Sequence, residues 1–237
     1  MQLRRRHLLQ LGAVAATTPL ISACGGGPEV SIDSSLPNGP FGPEATAEEV
    51  TRGLDLSGQT ALVTGCNSGL GYETLRVLAL RGARVIGTGR TLEKAEAACA
   101  SVDGNTVPLA LELSEFDSVL ACAEAVRAMD AEFDMLILNA GINTFGDLEL
   151  VNGIEKMFVV NYLGHFVLAN NLLPGMRAAG EGRIVHVGSR SGYTQAPPEG
   201  IDFDNLRGEG NFDAQQAYGR SKLANALFSL ELARRLE

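Results

Sequence analysis

Residues that bind metals are scarce in this sequence. Its three histidines, His7, His165 and His186, lie far apart, and its four cysteines, Cys24, Cys66, Cys99 and Cys122, include no Cys-x-x-Cys pair. No metal motif can be built from these spacings, so no metal is expected. Cys99 and Cys122 read instead as small apolar residues on helices. Basic clusters are missing as well. Outside Arg4, Arg5 and Arg6 the chain keeps 16 of its 19 Lys and Arg against 28 Asp and Glu, a net charge of −12, or −9 with the three included. A phosphate backbone requires the opposite sign, which excludes nucleic acid as a partner. Long apolar runs are also absent. The stretch from Leu8 to Ile21 is too short to span a bilayer and contains Pro19. What remains is ordinary for a soluble globular chain: 45% hydrophobic and 20% charged residues, in 237 positions that suffice for one sizeable core.

The first residues form a pattern of their own. Arg5-Arg6-His7-Leu8-Leu9 fits a twin-arginine export signal, and Ile21-Ser22-Ala23-Cys24 resembles a bacterial lipobox, cut before the cysteine. The expectation is an export signal over residues 1–23 and a lipidated Cys24 that anchors the protein to a membrane on the periplasmic side. A cytoplasmic location follows if the leader does not function. Residues 25–52 are rich in Gly, Pro, Ser and acidic side chains, without apolar periodicity. They read as a flexible tether reaching about 30 Å, within a segment bounded at residues 24–55, with a short helix expected over Ala45–Gly53.

From residue 56 strands and helices alternate. Apolar strands are expected over Gln59–Thr64, Arg84–Gly89, Thr106–Leu113, Asp134–Asn139 and Arg183–Gly188. Between them lie helices over Gly71–Arg81, from a Thr91 cap to about Ala100, from a Ser114 cap onward, and from about Gly153 to Leu173, ended at Pro174. A last helix starts at Ala214. Strands without polar alternation are buried on both faces, so the fold class is α/β, a doubly wound parallel sheet. Ligands of such sheets bind beyond the carboxyl ends of the strands.

The informative residues fall at those ends. Gly65-Cys66-Asn67-Ser68-Gly69-Leu70-Gly71 links the first strand to the first helix, where glycines and a helix N-terminus suit a pyrophosphate. The second strand ends in Gly89-Arg90, without the acidic residue that would bind the ribose hydroxyls of NAD; Arg90 can pair with the 2′-phosphate of NADP, which is therefore preferred over NAD. Glu112-Leu113 ends the third strand, near the expected adenine, and Asn139-Ala140-Gly141 ends the fourth. Ser189 follows the fifth strand. Tyr218 and Lys222, at i and i+4, share a face of the last helix, so the ammonium can stabilise a phenolate and lower the tyrosine pKa.

Together these motifs resemble the short-chain dehydrogenase/reductase family over Leu56–Glu237. The segments Val160–Phe166 (VNYLGHF) and Tyr218–Phe228 (YGRSKLANALF), with Ile201–Leu206 between Ser189 and Tyr218, are similar to its retinol-dehydrogenase-like branch. The resemblance implies hydride transfer between NADP(H) and an alcohol or carbonyl substrate, lipophilic by analogy with that branch. Tyr218 is then the general acid–base, Lys222 its activator and a holder of the nicotinamide ribose, and Ser189 the orienter of the substrate oxygen. Asn161 positions a water that joins Lys222 to solvent. A non-catalytic NADP-binding sensor or scaffold on the same fold is the alternative, and homo-oligomers are compatible with either. Glu112 stands where the family has aspartate, and Cys66 where alanine is frequent, which reads as a filler and not a redox thiol. The family also continues past its last matching helix with two strands and a substrate-covering loop. The expectation is thus a C-terminally incomplete domain over 56–237, with an open fifth strand, poorly soluble or inactive alone.

Overall fold

The computed structural model describes residues 39–129, 133–210 and 212–236. The twin-arginine pattern, the lipobox and Cys24 lie outside the described residues. The chain divides into two units at Ala45/Thr46. Of the first, residues 39–45 are described, with a turn in which the Ala45 N–H donates to the Gly42 carbonyl (3.1 Å).

The second unit begins before the boundary expected at residue 56. Its first helix, α1 (Ala47–Val50), carries a capping box in which Thr46 and Glu49 satisfy each other's backbone N–H groups. It is tied to α2 (Gly69–Leu80) and the residue that follows it: Arg76 pairs with Glu48 at 2.7 Å, and Arg81 donates to the Glu48 carbonyl and the Thr51 hydroxyl. Thus part of the expected tether is folded onto the domain.

Five parallel strands form the sheet: β1 (Thr60–Val63), β2 (Arg84–Gly89), β3 (Thr106–Ala110), β4 (Met135–Leu138) and, numbered in chain order, β7 (Arg183–His186). Their spatial order is β3-β2-β1-β4-β7. Chain direction across the sheet reverses between β1 and β4, which opens a crevice at their carboxyl ends. Two cores fill the two faces. One packs Leu62, Ile86 and Leu136 under α4 (Phe116–Met129), α6 (Gly164–Ala179) and α8 (Ala214–Leu236); the other packs Ala61, Val63 and Val85 under α2 and α3 (Leu92–Ala100). Each fully buried Leu or Ile contributes roughly 1.5–3 kcal/mol. The two edge strands differ from the inner ones: β3 is half-buried to exposed, and the residues of β7 alternate between exposed and half-buried. Both are sheet edges among the described residues.

Three local expectations need correction. Ser114 does not cap α4; the helix starts two residues later, and the Ser114 hydroxyl donates to Glu112 Oε1 (2.7 Å). The helix expected over Gly153–Leu173 does not begin there. Residues Leu150–Val151 (β5) and Ile154–Glu155 (β6) form a small hairpin, followed by α5 (Lys156–Phe158) and a π-helical turn at Val159–Leu163. Pro174 does not end α6, which runs on to Ala179 and stops at Gly180 (φ +88°). A proline inside a helix costs about 3 kcal/mol; burial of Leu172 and Met176 on either side of it offsets that cost.

Candidate active site and cofactor cleft

The crevice between β1 and β4 is a cleft of about 360 Å³. Gly65, Asn67, Ser68, Arg90, Glu112, Leu113, Asn139, Ala140 and Gly141 line it, all expected from sequence. Thr88, Leu111, Ile142 and Val160 line it too and were not expected. Thr88 was legible, since it is the polar residue of an apolar strand ahead of a glycine. Its hydroxyl is buried in the cleft wall with no hydrogen-bond partner. Gly69, Leu70 and Gly71 follow Ser68 as the first turn of α2, beside the wall of the cleft. Gly71 is buried because any side chain there would run into the Gly65 carbonyl and the Asn139 amide, so its role is close packing of helix on strand. Gly65 has φ +69° and a Cβ there would press on Ala140 at 2.9 Å, so only glycine fits.

The cleft suits a dinucleotide. The Ser68 cap makes no side-chain hydrogen bond to the first turn of α2, leaving that turn's N–H groups for a ligand. The orphaned Thr88 hydroxyl offers a further buried partner, and Gly65, Ala140 and Gly141 in the wall leave room for close approach. Gly89 does not simply leave space open, as expected. A Cβ there would lie 3.0 Å from the Ala95 nitrogen and 3.2 Å from Lys94 Cβ. Close packing against the start of α3 therefore disfavours any side chain at this position, and the exposed Arg90 follows it. The Glu112 carboxylate is bent back, accepting from the Ser114 N–H (3.0 Å) and hydroxyl (2.7 Å). The extra methylene relative to aspartate is spent closing that turn.

Beneath the cleft runs a buried network centred on Thr64. Its hydroxyl oxygen accepts the N–H groups of Asn139 and Ala140, both at 2.9 Å, and thereby fixes the end of β4. The same oxygen lies 2.9 Å from His165 Nε2, while His165 Nδ1 lies 3.1 Å from the Asn161 carbonyl. A carbonyl only accepts, so Nδ1 carries the proton and Nε2 accepts from Thr64. Burial holds the His165 pKa down to about 4, so the ring is neutral. His165 was not expected in the site; its only sequence signal is a histidine on an apolar helix.

Asn161 sits in the π-helical turn. Its side chain exchanges two hydrogen bonds with the Ile142 backbone (2.7 and 2.9 Å) and donates to Ser221 Oγ (3.0 Å). It thus clamps the loop after β4 to α8. The Asn161 carbonyl accepts from His165 Nδ1 and retains its second lone pair.

Lys222 is 5% exposed, donates to the Val187 carbonyl at 3.0 Å, and has its pKa lowered by burial. Its Nζ lies 5.8 Å from the centre of the Tyr218 ring, and both Nζ and Asn161 Oδ1 face the bare side of Gly141. The geometry therefore joins Asn161, Lys222 and Tyr218 at the mouth of the cleft. Ser189 is exposed on the segment after β7, where its hydroxyl accepts the Ser191 N–H (3.1 Å). The next helix, α7 (Ser191–Thr194), lies directly on α8 through Gly192, whose Cβ would be 2.9 Å from the Leu223 nitrogen, and through Gly219, which faces Gln195 and Ala196. Among the described residues no cluster of three or more His, Cys, Asp or Glu could hold a metal.

This arrangement has close counterparts. The short chain dehydrogenase family pattern matches residues 59–200. The chain is 37% identical over 208 residues to short-chain dehydrogenase TIC 32 A, chloroplastic, of Brassica napus, covering 83% of this chain and 64% of that protein. It is 39% identical over 192 residues to human retinol dehydrogenase 11, covering 79% and 59%. The chain thus spans about three fifths of the length of these relatives. Among solved structures, a metagenomic short-chain oxidoreductase in complex with NADP superposes with a TM-score of 0.62 at 29% identity, covering 76% of this chain and 77% of that one. A parallel sheet with this crevice, and a family pattern that spans more than half of the sequence, make the chain a member of the short-chain dehydrogenase family.

Proposed function

We propose that the chain is an NADP(H)-dependent oxidoreductase acting on an alcohol or carbonyl substrate, lipophilic in character. The observation that carries this reading is the buried Lys222 ammonium beside the Tyr218 ring at the mouth of a dinucleotide-shaped cleft. A bound nicotinamide supplies or takes the hydride; the proton steps fall to the protein. In the reductive direction the Tyr218 hydroxyl gives its proton to the substrate oxygen, and the nearby ammonium stabilises the phenolate left behind. Burial makes Lys222 readier to yield a proton in turn, which favours reprotonation of Tyr218 from that side. Ser189 is assigned to hold the substrate oxygen and Asn161 to hold the loop that places Gly141 against Lys222.

NADP is favoured over NAD by Arg90 in the cleft lining, beside a Gly89 that carries no carboxylate and is tightly packed against α3. Human retinol dehydrogenase 11 and the NADP complex among the relatives support the substrate class and the cofactor. Export and lipidation at Cys24 belong to the same proposal: a membrane-anchored position suits a lipophilic substrate. Replacing Arg5 and Arg6 by lysine blocks export if the twin-arginine route is used.

The direct test is the Tyr218→Phe variant assayed with NADPH on a panel of lipophilic aldehydes and ketones. Turnover should fall at least a thousandfold while NADPH still binds. Retained turnover removes Tyr218 from the role assigned to it. Cofactor binding without turnover in the unaltered chain favours the sensor or scaffold reading.

A further inference from the structure

We propose that Cys66 and Cys99 are a reversible disulfide-forming pair set directly beneath the cofactor-binding turn. Nothing in their spacing suggests it: Cys66 follows Gly65 in the turn after β1, and Cys99 is near the end of α3. The fold brings both over one residue of β2. A Cβ on Gly87 would lie 2.8 Å from Cys66 Sγ and 3.0 Å from Cys99 Sγ, so the two sulfurs fill the space that glycine leaves and are neighbours there. Each thiol therefore shifts the ionisation of the other. Both are buried and unlinked. Cys122 is also buried and free but packs in the core on the opposite sheet face, and so serves as an internal control.

The surroundings give the pair unequal roles. The neighbouring Cys66 thiol and Thr106 hold the Cys99 thiol below its ordinary range, whereas Cys99 and burial push Cys66 up. Cys122 has no such partner, and burial pushes it up to about 12. Cys99 is therefore the one of the two that more readily becomes the thiolate, the nucleophilic form, beside a thiol that retains its proton. This differs from the filler role that the sequence suggests for Cys66.

The oxidant class is a small hydroperoxide, because the pair is covered. The Cys99 thiolate attacks the O–O bond and becomes a sulfenic acid, and the released alkoxide or hydroxide takes a proton from water. The Cys66 sulfur then attacks the Cys99 sulfur. The S–S bond forms, and the Cys66 proton leaves with the sulfenic hydroxyl as water. Two electrons pass from the two thiols to the peroxide, and a dithiol reverses the step. Closing the bond draws the sulfurs from non-bonded contact to about 2.0 Å. That pulls Cys66 toward α3, and its neighbours Gly65 and Asn67 line the cleft. Oxidation should thus weaken dinucleotide binding; this consequence, unlike the disulfide itself, rests on the proposed cofactor site.

The test uses the full reduced chain treated with hydrogen peroxide, alkylated and peptide-mapped. The expected product is a Cys66–Cys99 linked peptide with Cys122 still alkylated, and dithiothreitol restores both thiols. If Cys66 and Cys99 both remain alkylatable, or pass to sulfinic and sulfonic acids without a link, the pair is overturned. In Cys99→Ala, Cys66 should stay alkylatable under the same treatment; unaltered oxidation of Cys66 overturns the division of roles. NADPH titrations by fluorescence should show at least a threefold rise in Kd on oxidation of the unaltered chain and none in Cys99→Ala. Equal affinity before and after a proven crosslink overturns the switch. Absence of NADPH binding in the reduced chain overturns the cofactor site instead, while the peptide map still decides the disulfide.

Discussion

Lys222 has one hydrogen-bonded carbonyl and almost no solvent, an expensive setting for an ammonium group. Expensive single side chains of this kind mark the site better than the glycines do. Arg90 is the opposite case, an exposed cation at the cleft edge with nothing structural to hold. Arg90→Ala should therefore raise the Kd for NADPH about tenfold, equivalent to ~1.4 kcal/mol, and leave NADH nearly unchanged, as parallel fluorescence titrations would show. Equal losses for both cofactors would remove Arg90 from the 2′-phosphate. His165 gives a pH signature. Its folded pKa is about 4 against an ordinary value of 6.5, so between these limits the unfolded chain binds more protons. The contribution of neutral His165 is complete above about pH 6.5 and is lost as pH falls toward 4, by up to roughly 3 kcal/mol. Urea midpoints measured from pH 7 to 4 should fall, and more steeply than in His165→Gln. Equal slopes in the two proteins would show that His165 is not held neutral.

At the scale of elements, the crossing of α7 over α8 decides where Ser189 is carried. Both helices approach through glycine, Gly192 on one and Gly219 on the other, so backbone meets backbone. Gly219→Ala should force the crossing apart, lowering stability by about 1–3 kcal/mol in denaturant unfolding. It should also lower kcat more than NADPH affinity, because the cofactor cleft lies on the other side of Lys222. An unchanged kcat in a destabilised protein would mean that the crossing is only structural. The π-helical turn at Val159–Leu163 works in the same way: it turns Asn161 toward Ile142 and Ser221 at once, and it supplies the carbonyl that His165 takes. Neither device is visible as a pattern in the residues that form it. VVNYL reads as a continuous helix by apolar spacing, and Gly192 and Gly219 read as isolated glycines in different segments.

At the scale of the whole molecule the asymmetry lies in β7. Val185 on this strand is 48% exposed, and next to the strand lies a mixed recess of about 410 Å³ lined by Leu173, Met176, Ile184 and Leu232 together with Arg177 and His186. A strand paired on one side only, with an exposed β-branched residue, is a template for edge-to-edge association. Val185→Lys should reduce self-association of the 237-residue chain, followed by light scattering against concentration; equal scattering would mean the edge is not where copies meet. Among the described residues no helix is long and apolar enough to cross a membrane.

Much of this architecture follows from sequence because its causes are local. Apolar runs too short for helices, with glycine at their ends, dictate parallel strands, and the cleft residues from Gly65 to Gly141 fall at strand ends by simple chain order. Tyr218 and Lys222 share a face through helical periodicity alone. What tertiary structure decided are contacts between segments that no spacing relates. It placed Thr64 against His165, 101 residues away, and so joined the ends of β1 and β4 to α6 in one buried chain of hydrogen bonds that ends at Asn161, one helical turn before His165. It carried α6 past Pro174 because core burial on both sides outweighed the lost bond. It set Cys66 against Cys99 because Gly87, on a third segment, has no side chain to keep them apart.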